Sequence, residues 1–570
     1  MGDRLQARLA SRAQAGGALT WPEPRVAGDP ARGRRLLQGR LRVGDTLVEE
    51  PGRVLWDLAP EEPEREGLHD FRWLDDLAAL GEVPARALAQ TWTGEWIARF
   101  GGGSGPGWTP ELTGERQIRL LGHARVLLHA PGLGAERLAQ AVAAQTRFLE
   151  KRWTRAPLGR ARIAALAGLL AGELALPGRR AQAVRTTRVL AEEAVRLIDA
   201  EGAIPSRNPE ELLHVLSLLV GANRALEGAG LPPDPTLGGL VARSAPVLRA
   251  LRHGDGALAR FHGGCRGADG VLDQVLAAAG RPVLGAGTRS GLPLRMGFLR
   301  LAAGRTTMVV DAAAPPIGAA SLEAHASTLA FELTSGRRPL IVNMGPARGF
   351  GSRWRKAARA TASHSTLSLD TLSSARLGLL RPGQGAAPLV DGPRRVLVEV
   401  APGGEGLRVD LAHDGWRPVN GLTHARILRM TPDGRGLEGE DMLTTLTEAD
   451  RALFDAALNS SNHLGLAFAL RFHLHPDVEA AMTTEQTVTM ILPSGEEWVF
   501  SHDGDAPLAL EPSVYLETDR LRPRPTSQIV VAARALRPVT RLRWTLAKGY
   551  GTPEGLRDLN PRADWDEEDE

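Results

Sequence analysis

Cysteine is nearly missing from this 570-residue chain. Cys265 stands alone, so neither an intramolecular disulfide framework nor an all-cysteine metal site can form. Tyrosine is almost as scarce: Tyr515 and Tyr550 are the only two, and the first 514 residues hold none. Chemistry that needs a phenol from the first half of the chain is excluded. A surplus of one charge sign is also lacking, with 69 Lys+Arg against 66 Asp+Glu and a formal net charge of +3. Such a balance gives no electrostatic footprint for a nucleic-acid partner. No run of 18 uncharged apolar residues occurs, so no transmembrane span is expected. Met1 to Thr20 has Arg4, Arg8 and Arg12 but no apolar run of signal-peptide length. It reads as a packed or disordered leader, or as a short basic amphipathic helix.

Nucleotide and serine-hydrolase motifs are missing as well. There is no G-x-S-x-G, no H-E-x-x-H and no G-x-x-x-x-G-K-[ST]. One G-x-G-x-x-G occurs at Gly434, Gly436 and Gly439, but Thr431-Pro-Asp-Gly precedes it as a turn and no βαβ pattern surrounds it. It reads as a chance match in a glycine-rich loop.

What is present changes period near residue 285. Before that point the apolar spacing is helical, with candidates at 135–153, 160–175, 181–200, 210–227, 240–251 and 268–279. The stretch after Asn208-Pro209 is the clearest: Asn208 suits the cap, Pro209 the first turn, and Leu212, Leu213, Leu216, Leu219 and Val220 a buried stripe that His214 flanks. After residue 290 the pattern has period two, in at least ten short runs from Phe298 to Val531. A helical array followed by a large antiparallel sandwich fits this order, a multidomain α+β chain. The divisions expected are a leader over 1–59, helices over 60–285, the sandwich over 286–555 and an acidic tail over 556–570.

Three regions carry candidate chemistry. In the first, His325 precedes a strand, Asn343 ends the next, and His364 opens another after a basic loop. Separations of 18 and 21 residues let successive strands bring these side chains together, as a metal site or as a hydrogen-bonded polar cluster. The loop itself, 348–363, carries Arg353, Trp354, Arg355, Lys356 and Arg359. It reads as an anionic-glycan surface with a stacking indole, or as a solvated basic loop with one anchor. The second region is Ser206-Arg207-Asn208-Pro209, where Arg207 and Asn208 face a cleft unless Asn208 serves only as a cap. The third is 252–262, which offers His253, Asp255 and His262 from a turn between helices. His473, His475 and His424 read as sheet-packing residues, with a metal role only if Asp477 approaches. His413-Asp414-Gly415-Trp416 reads as a turn.

Several of these segments together resemble the heparinase II/III family of polysaccharide lyases, in particular its alphaproteobacterial-type members. They are Ala324 to Gly336, Leu340 to Gly345, Ser363-His364-Ser365-Thr366, His413-Asp414-Gly415, Arg471 to Val478, Ser206 to Leu213 and Arg252 to Phe261. The resemblance covers roughly residues 60–550. It implies an incomplete (α/α) toroid followed by the antiparallel β-sandwich, with a cleft between them. It also implies β-elimination on a uronate-containing anionic polysaccharide or oligosaccharide, with no cofactor required. In that chemistry Arg207 or Asn208 neutralises the uronate carboxylate. Proton transfer falls to His253, His262, His325, His364 or Glu323. A structural zinc is implied on His325, Asn343 and His364.

The chain departs from the family at five points, the first being Ile204, which occupies the neighbourhood before Ser206-Arg207-Asn208-Pro209 where many relatives place a histidine. Glu323 stands where relatives carry a catalytic histidine, and Asn343 where they carry a zinc-binding carboxylate. Phe298 stands where a tyrosine is usual, and the helical half supplies no tyrosine. The alternative is therefore a catalytically degenerate glycan-binding or envelope-assembly protein on the same scaffold. The substrate class points to the periplasm and the missing signal to the cytoplasm. Nothing in the sequence sets an oligomeric state.

Overall fold

The computed structural model describes residues 2–20, 22, 28–43, 46–52, 55–58, 67–129, 133–268, 270–280, 294–369, 372–381, 385–403, 406–517, 520–550 and 552. The acidic tail at 556–570 lies outside them. The chain packs as two units. The first is Met1–Ile204, Glu210–Leu248 and Gly267–Val283; the second is Pro205–Pro209, Arg249–Arg266 and Leu284–Glu570.

The first unit is helical. Its helices are α1 (Gly2–Ala10), α2 (Pro30–Leu37), α3 (Arg72–Leu80), α4 (Val83–Phe100), α5 (Pro110–Gly122), α6 (Ala124–Leu128), α7 (Ala135–Arg152), α8 (Arg160–Ala175), α9 (Arg180–Leu197), α10 (Pro209–Gly228), α11 (Pro235–Ala250) and α12 (Val271–Ala278), with a short hairpin β1 (Arg40–Val43) and β2 (Thr46–Glu49). They form the incomplete (α/α) toroid. None of the described helices is long and apolar enough to cross a membrane. Helix α8 is apolar on nearly every side, as a helix enclosed by others must be. It meets α5 through glycines: a Cβ on Gly168 would lie 2.3 Å from the Gly114 Cα. The region read as a leader is ordered into this unit, because Ala7 and Ala10 of α1 and Leu55 and Trp56 join the same core as Trp92, Trp96 and Phe148. Inside that core the Arg116 guanidinium lies 4.1 Å from the Trp96 ring and donates to the carbonyls of His69 and Gly107. Helix α11 runs through Pro246 and begins at Pro235, earlier than the spacing predicts.

Glu173 on α8 is 3% exposed, and its Oε2 has no hydrogen-bond partner. Burial raises its pKa from the ordinary 4.5 to about 7. A carboxyl raised in this way contributes stability at low pH, and that contribution is lost as pH rises through 7. Glu173→Gln should therefore stabilise the protein by about 2–3 kcal/mol at pH 8 and change little at pH 5. Denaturation midpoints at the two pH values test this; equal shifts at both would refute it.

Among the described residues the second unit holds two large antiparallel sheets and one two-stranded sheet. Its strands are β3 (Phe298–Ala303), β4 (Thr306–Asp311), β5 (Phe331–Ser335), β6 (Arg338–Val342), β7 (Leu367–Leu369), β8 (Arg376–Leu377), β9 (Leu389–Val390), β10 (Val396–Gly403), β11 (Gly406–Trp416), β12 (Leu422–Met430), β13 (Gly436–Thr444), β14 (Leu466–Leu474), β15 (Glu479–Thr484), β16 (Thr487–Ile491), β17 (Glu497–His502), β18 (Leu508–Tyr515), β19 (Arg524–Ala535) and β20 (Val539–Lys548). One large sheet has the order β18-β19-β14-β6-β5-β4-β3, with β7 also on β14. The other large sheet has the order β10-β11-β12-β13-β20-β17-β16-β15. Alternating residues from both faces meet in one core that includes Leu299, Phe331, Phe472, Trp498 and Trp544.

Local details differ from the sequence reading. The stretch 348–363 is not all loop, since α13 (Ser352–Ala358) forms where Arg, Lys and Ala favour helix. His413 to Trp416 is the irregular end of β11, where the register against β12 shifts, rather than a free turn. Gly439 of the G-x-G-x-x-G lies inside β13, where a Cβ would meet the Trp544 ring at 2.1 Å; it makes room for an indole, not a phosphate.

The two strips Pro205–Pro209 and Arg249–Arg266 were expected within the helical half. They pack with the sandwich instead, because their polar side chains find partners there. The boundary by packing is thus not a single point near residue 285.

Candidate functional site

The strip Pro205–Pro209 brings Arg207 to the end of β4. Its backbone is in the left-handed region (φ 53°), a conformation that costs a non-glycine residue roughly 1–2 kcal/mol. The side chain explains why it holds. Nε donates to the Met296 carbonyl (3.0 Å), Nη1 to Ala314 (2.9 Å), and Nη2 to Gly297 (2.9 Å) and to Asp311 Oδ1 (2.5 Å). The guanidinium lies 4.6 Å from the Phe298 ring. Phe298 is therefore packing for a buried cation. Asp311 is fully buried, which by itself would raise its pKa. Arg207 and His262 more than reverse this and hold the carboxyl well below the usual range. Ser327 Oγ also donates to it (2.7 Å).

The strip Arg249–Arg266 supplies His262, again with positive φ (49°). Its Nε2 lies 3.4 Å from Asp311 Oδ2, and its Nδ1 accepts the His325 backbone N–H (3.2 Å). Asn208 Nδ2 donates to the His262 carbonyl (3.0 Å), and Gly264 lets Asn208 approach, since a Cβ there would meet its Oδ1 at 2.5 Å. From His325 the chain of bonds continues. Its Nδ1 is 3.0 Å from His364 Nε2, and His364 Nδ1 is 2.8 Å from the Ala360 carbonyl. A carbonyl only accepts, so the His364 proton sits on Nδ1 and the His325 proton on Nδ1 as well. Both rings are neutral. Burial and the neighbouring His364 push His325 well below its ordinary value, and burial takes His364 down to about 3.

A second chain of bonds runs beside the first. Glu332 on β5 accepts from the Arg260 backbone N–H (3.0 Å), lies 3.2 Å from His253 Nε2, and accepts from Asn343 Nδ2 (3.3 Å). Asn343 Oδ1 in turn accepts the Ser365 N–H (3.1 Å). Asn343 is a brace between strands, and both of its amide ends are engaged. Arg359 is a brace too: its guanidinium donates to the carbonyls of Ala324, Ala387 and Ser321. Of the remaining basic-loop residues on α13, Arg353 and Lys356 are exposed. Trp354 and Arg355 are half-buried, Trp354 against the small cluster of Met344, Phe350 and Leu516. Glu323 is half-buried and makes no hydrogen bond with the described residues.

The sequence reading thus named most members of these chains but missed Asp311 and Glu332, the carboxylates that organise them. It also missed Asp441. That residue accepts from His424 (2.7 Å), Arg426 (2.8 Å) and the Trp544 indole (2.9 Å) in the sandwich core. His473 bonds to Ser513 and the Ala362 carbonyl, and His475 packs on the Tyr515 ring. In the helical unit, His214 does more than flank leucines: its Nε2 is 2.6 Å from the buried Glu115, which also accepts from Arg119.

The family-implied zinc does not fit these donors. The two imidazoles are already bonded to each other, and Asn343 brings a neutral amide whose oxygen accepts a backbone N–H. Among the described residues no three His, Cys, Asp or Glu side chains are grouped to hold a metal ion.

Comparison with known proteins places the chain. Residues 287–545 match the family described as "Heparinase II/III-like, C-terminal". The "FtsZ-localized protein C" of Caulobacter vibrioides is 31% identical over 542 residues, covering 92% of this chain and 89% of that protein. The chain belongs to the FtsZ-localized protein C family. The chain also has the heparinase II/III-like fold. The crystal structure of heparinase III superposes with a TM-score of 0.67 at 14% identity, over 96% of this chain and 89% of that one. A heparan sulfate lyase HepC mutant from Pedobacter heparinus gives 0.55 at 13% identity, over 97% and 88%. At these identities the likeness to the lyases is one of fold. What this family member does with the fold rests on the side chains above.

Proposed function

We propose that this chain is a non-cleaving member of the lyase fold that serves the FtsZ division machinery as a binding and assembly protein. One observation carries the reading: of the residues available for carboxylate neutralisation and proton transfer, Arg207, Asn208 and the histidines are buried and engaged in hydrogen bonds, and Glu323 alone is half-buried without one among the described residues. Arg207 commits its five N–H donors to Asp311 and to the carbonyls of Met296, Gly297, Ala313 and Ala314, so it has no donor left for a uronate. His253, His262 and His364 are each less than 6% exposed. The relative matched along nearly its whole length is named for localisation with FtsZ, which supplies the partner class. This reading places the chain in the cytoplasm and uses no cofactor.

A second reading is β-elimination on a uronate-containing glycan, with Arg207 and Asn208 neutralising the carboxylate and a histidine or Glu323 moving the proton. One observation favours it: His325 Nε2 has no hydrogen-bond partner among the described residues. The same ring is a poor base for a sugar C5 proton, because burial and His364 hold its pKa well below the operating pH.

Two measurements separate the readings. A fluorescent fusion should form a band at the division plane and disperse when FtsZ is depleted. The purified protein should give no unsaturated-uronate absorbance on heparin, heparan sulfate, hyaluronan, chondroitin or alginate. Absorbance that rises with any of these glycans, and is lost in His325→Ala, would overturn the proposal. So would a fusion that ignores FtsZ.

A further inference from the structure

The helical unit contains a cavity of about 430 Å³ between the C-terminal parts of α5, α8 and α10 and one side of α12. Its volume falls in the range of small-molecule sites, roughly 300–1,000 Å³. The walls are Ile118 and Leu121 of α5, Leu170 and Leu174 of α8, and Val271 and Val275 of α12. On α10, Gly221 leaves the space open: a Cβ there would meet no atom within 4 Å. Arg224, one turn further along α10, is the single charged residue among those lining the cavity. It is exposed and makes no hydrogen bond or ion pair with the described residues. Among the described residues no carboxylate lines the space to neutralise it.

We propose that this cavity binds a single-chain anionic amphiphile, with the hydrocarbon chain among the leucine and valine walls and the anionic head at Arg224. An apolar cavity attracts hydrocarbon in proportion to the area removed from water. One unpaired guanidinium at an otherwise neutral lining selects for a negative head, and its fork suits either a carboxylate or a phosphate. The site is separate from the histidine and carboxylate chains of the sandwich unit, and it goes beyond the division-site reading.

Calorimetry on the full chain tests the proposal, with dodecanoate, dodecyl phosphate and uncharged dodecanol each below its aggregation concentration. Dodecanoate or dodecyl phosphate should bind saturably at one per chain, and the tighter of the two names the head group. Gly221→Leu should weaken binding at least tenfold. The variant is expected to fold, since the added side chain enters open space and leucine is a better helix former than glycine. Arg224→Gln should weaken the anionic ligands about tenfold and leave dodecanol unchanged. Absence of saturable binding, binding indifferent to Gly221→Leu, or an equal effect of Arg224→Gln on charged and uncharged ligands would each overturn the proposal.

Discussion

Arg207→Met should lower the stability of the protein by about 3–5 kcal/mol, the loss expected when one partner of a buried ion pair is removed. The variant leaves Asp311 with its charge, fully buried and without the guanidinium that holds its pKa down. It also leaves the carbonyls of Met296, Gly297, Ala313 and Ala314 without their donor. Arg207→Lys should recover little, because one ammonium cannot satisfy a carboxylate and four carbonyls in a fixed fork. Adding Asp311→Asn to Arg207→Met should recover part of the loss, since the orphaned charge is then gone. Urea denaturation midpoints measure all three. If Arg207→Met unfolds at the wild-type midpoint, Arg207 is not the structural residue described here, and its donors are free for a ligand.

Acid should act on the same unit with comparable force. Burial holds His364 near 3, His473 near 4 and His475 near 3, against an ordinary value of 6.5. An imidazole lowered in this way takes up a proton more readily in the unfolded chain than in the folded one. Its contribution to stability is therefore complete above pH 6.5 and is lost as pH falls toward the folded value. At pH 5 each of the three costs about 2 kcal/mol relative to pH 7.5. Together they reach about 6 kcal/mol, a large part of the 5–15 kcal/mol that typically stabilises a folded protein. Asp311 and Asp441, whose pKa values are depressed, lose their contribution only below the ordinary carboxylate range, so they do not mask the effect. Denaturation of the Glu173→Gln variant, which lacks the opposing gain from that carboxyl on acidification, should show a steady fall from pH 7.5 to 5. A flat profile would mean that these rings are not buried neutral in solution.

The fold was legible where a segment's own pattern decides its structure. The leucine stripe after Asn208-Pro209 became α10, and period two after residue 290 became the two sheets. The site was legible only in part, and the reason is visible in Asp311 and Glu332. Each lies in a strand, and the sequence around it says only that a strand is there. What each carboxylate bonds to depends on the register of β4 against β5, where Val309 faces Glu332, and on strips of chain some 50–100 residues upstream. Nothing local in Ser206-Arg207-Asn208-Pro209 announces that its arginine is destined for a carboxylate 104 residues later. For His325 and His364 the sequence showed that strands could bring them together. It did not show that the two rings would bond to each other, because that depends on the Ala360 carbonyl fixing a tautomer.

The strips Pro205–Pro209 and Arg249–Arg266 also bear on how the molecule is made. The heparinase-like segment recognised by sequence, 287–545, contains neither of them. Released by itself, that segment would carry Asp311 and Glu332 without Arg207, His253 or the Arg260 backbone. On the ribosome the strips emerge well before the strands they complete, so they must wait, unpaired, until β4 and β5 have been synthesised. The second half of this protein is therefore expected to mature only once residues 205–266 are present beside it.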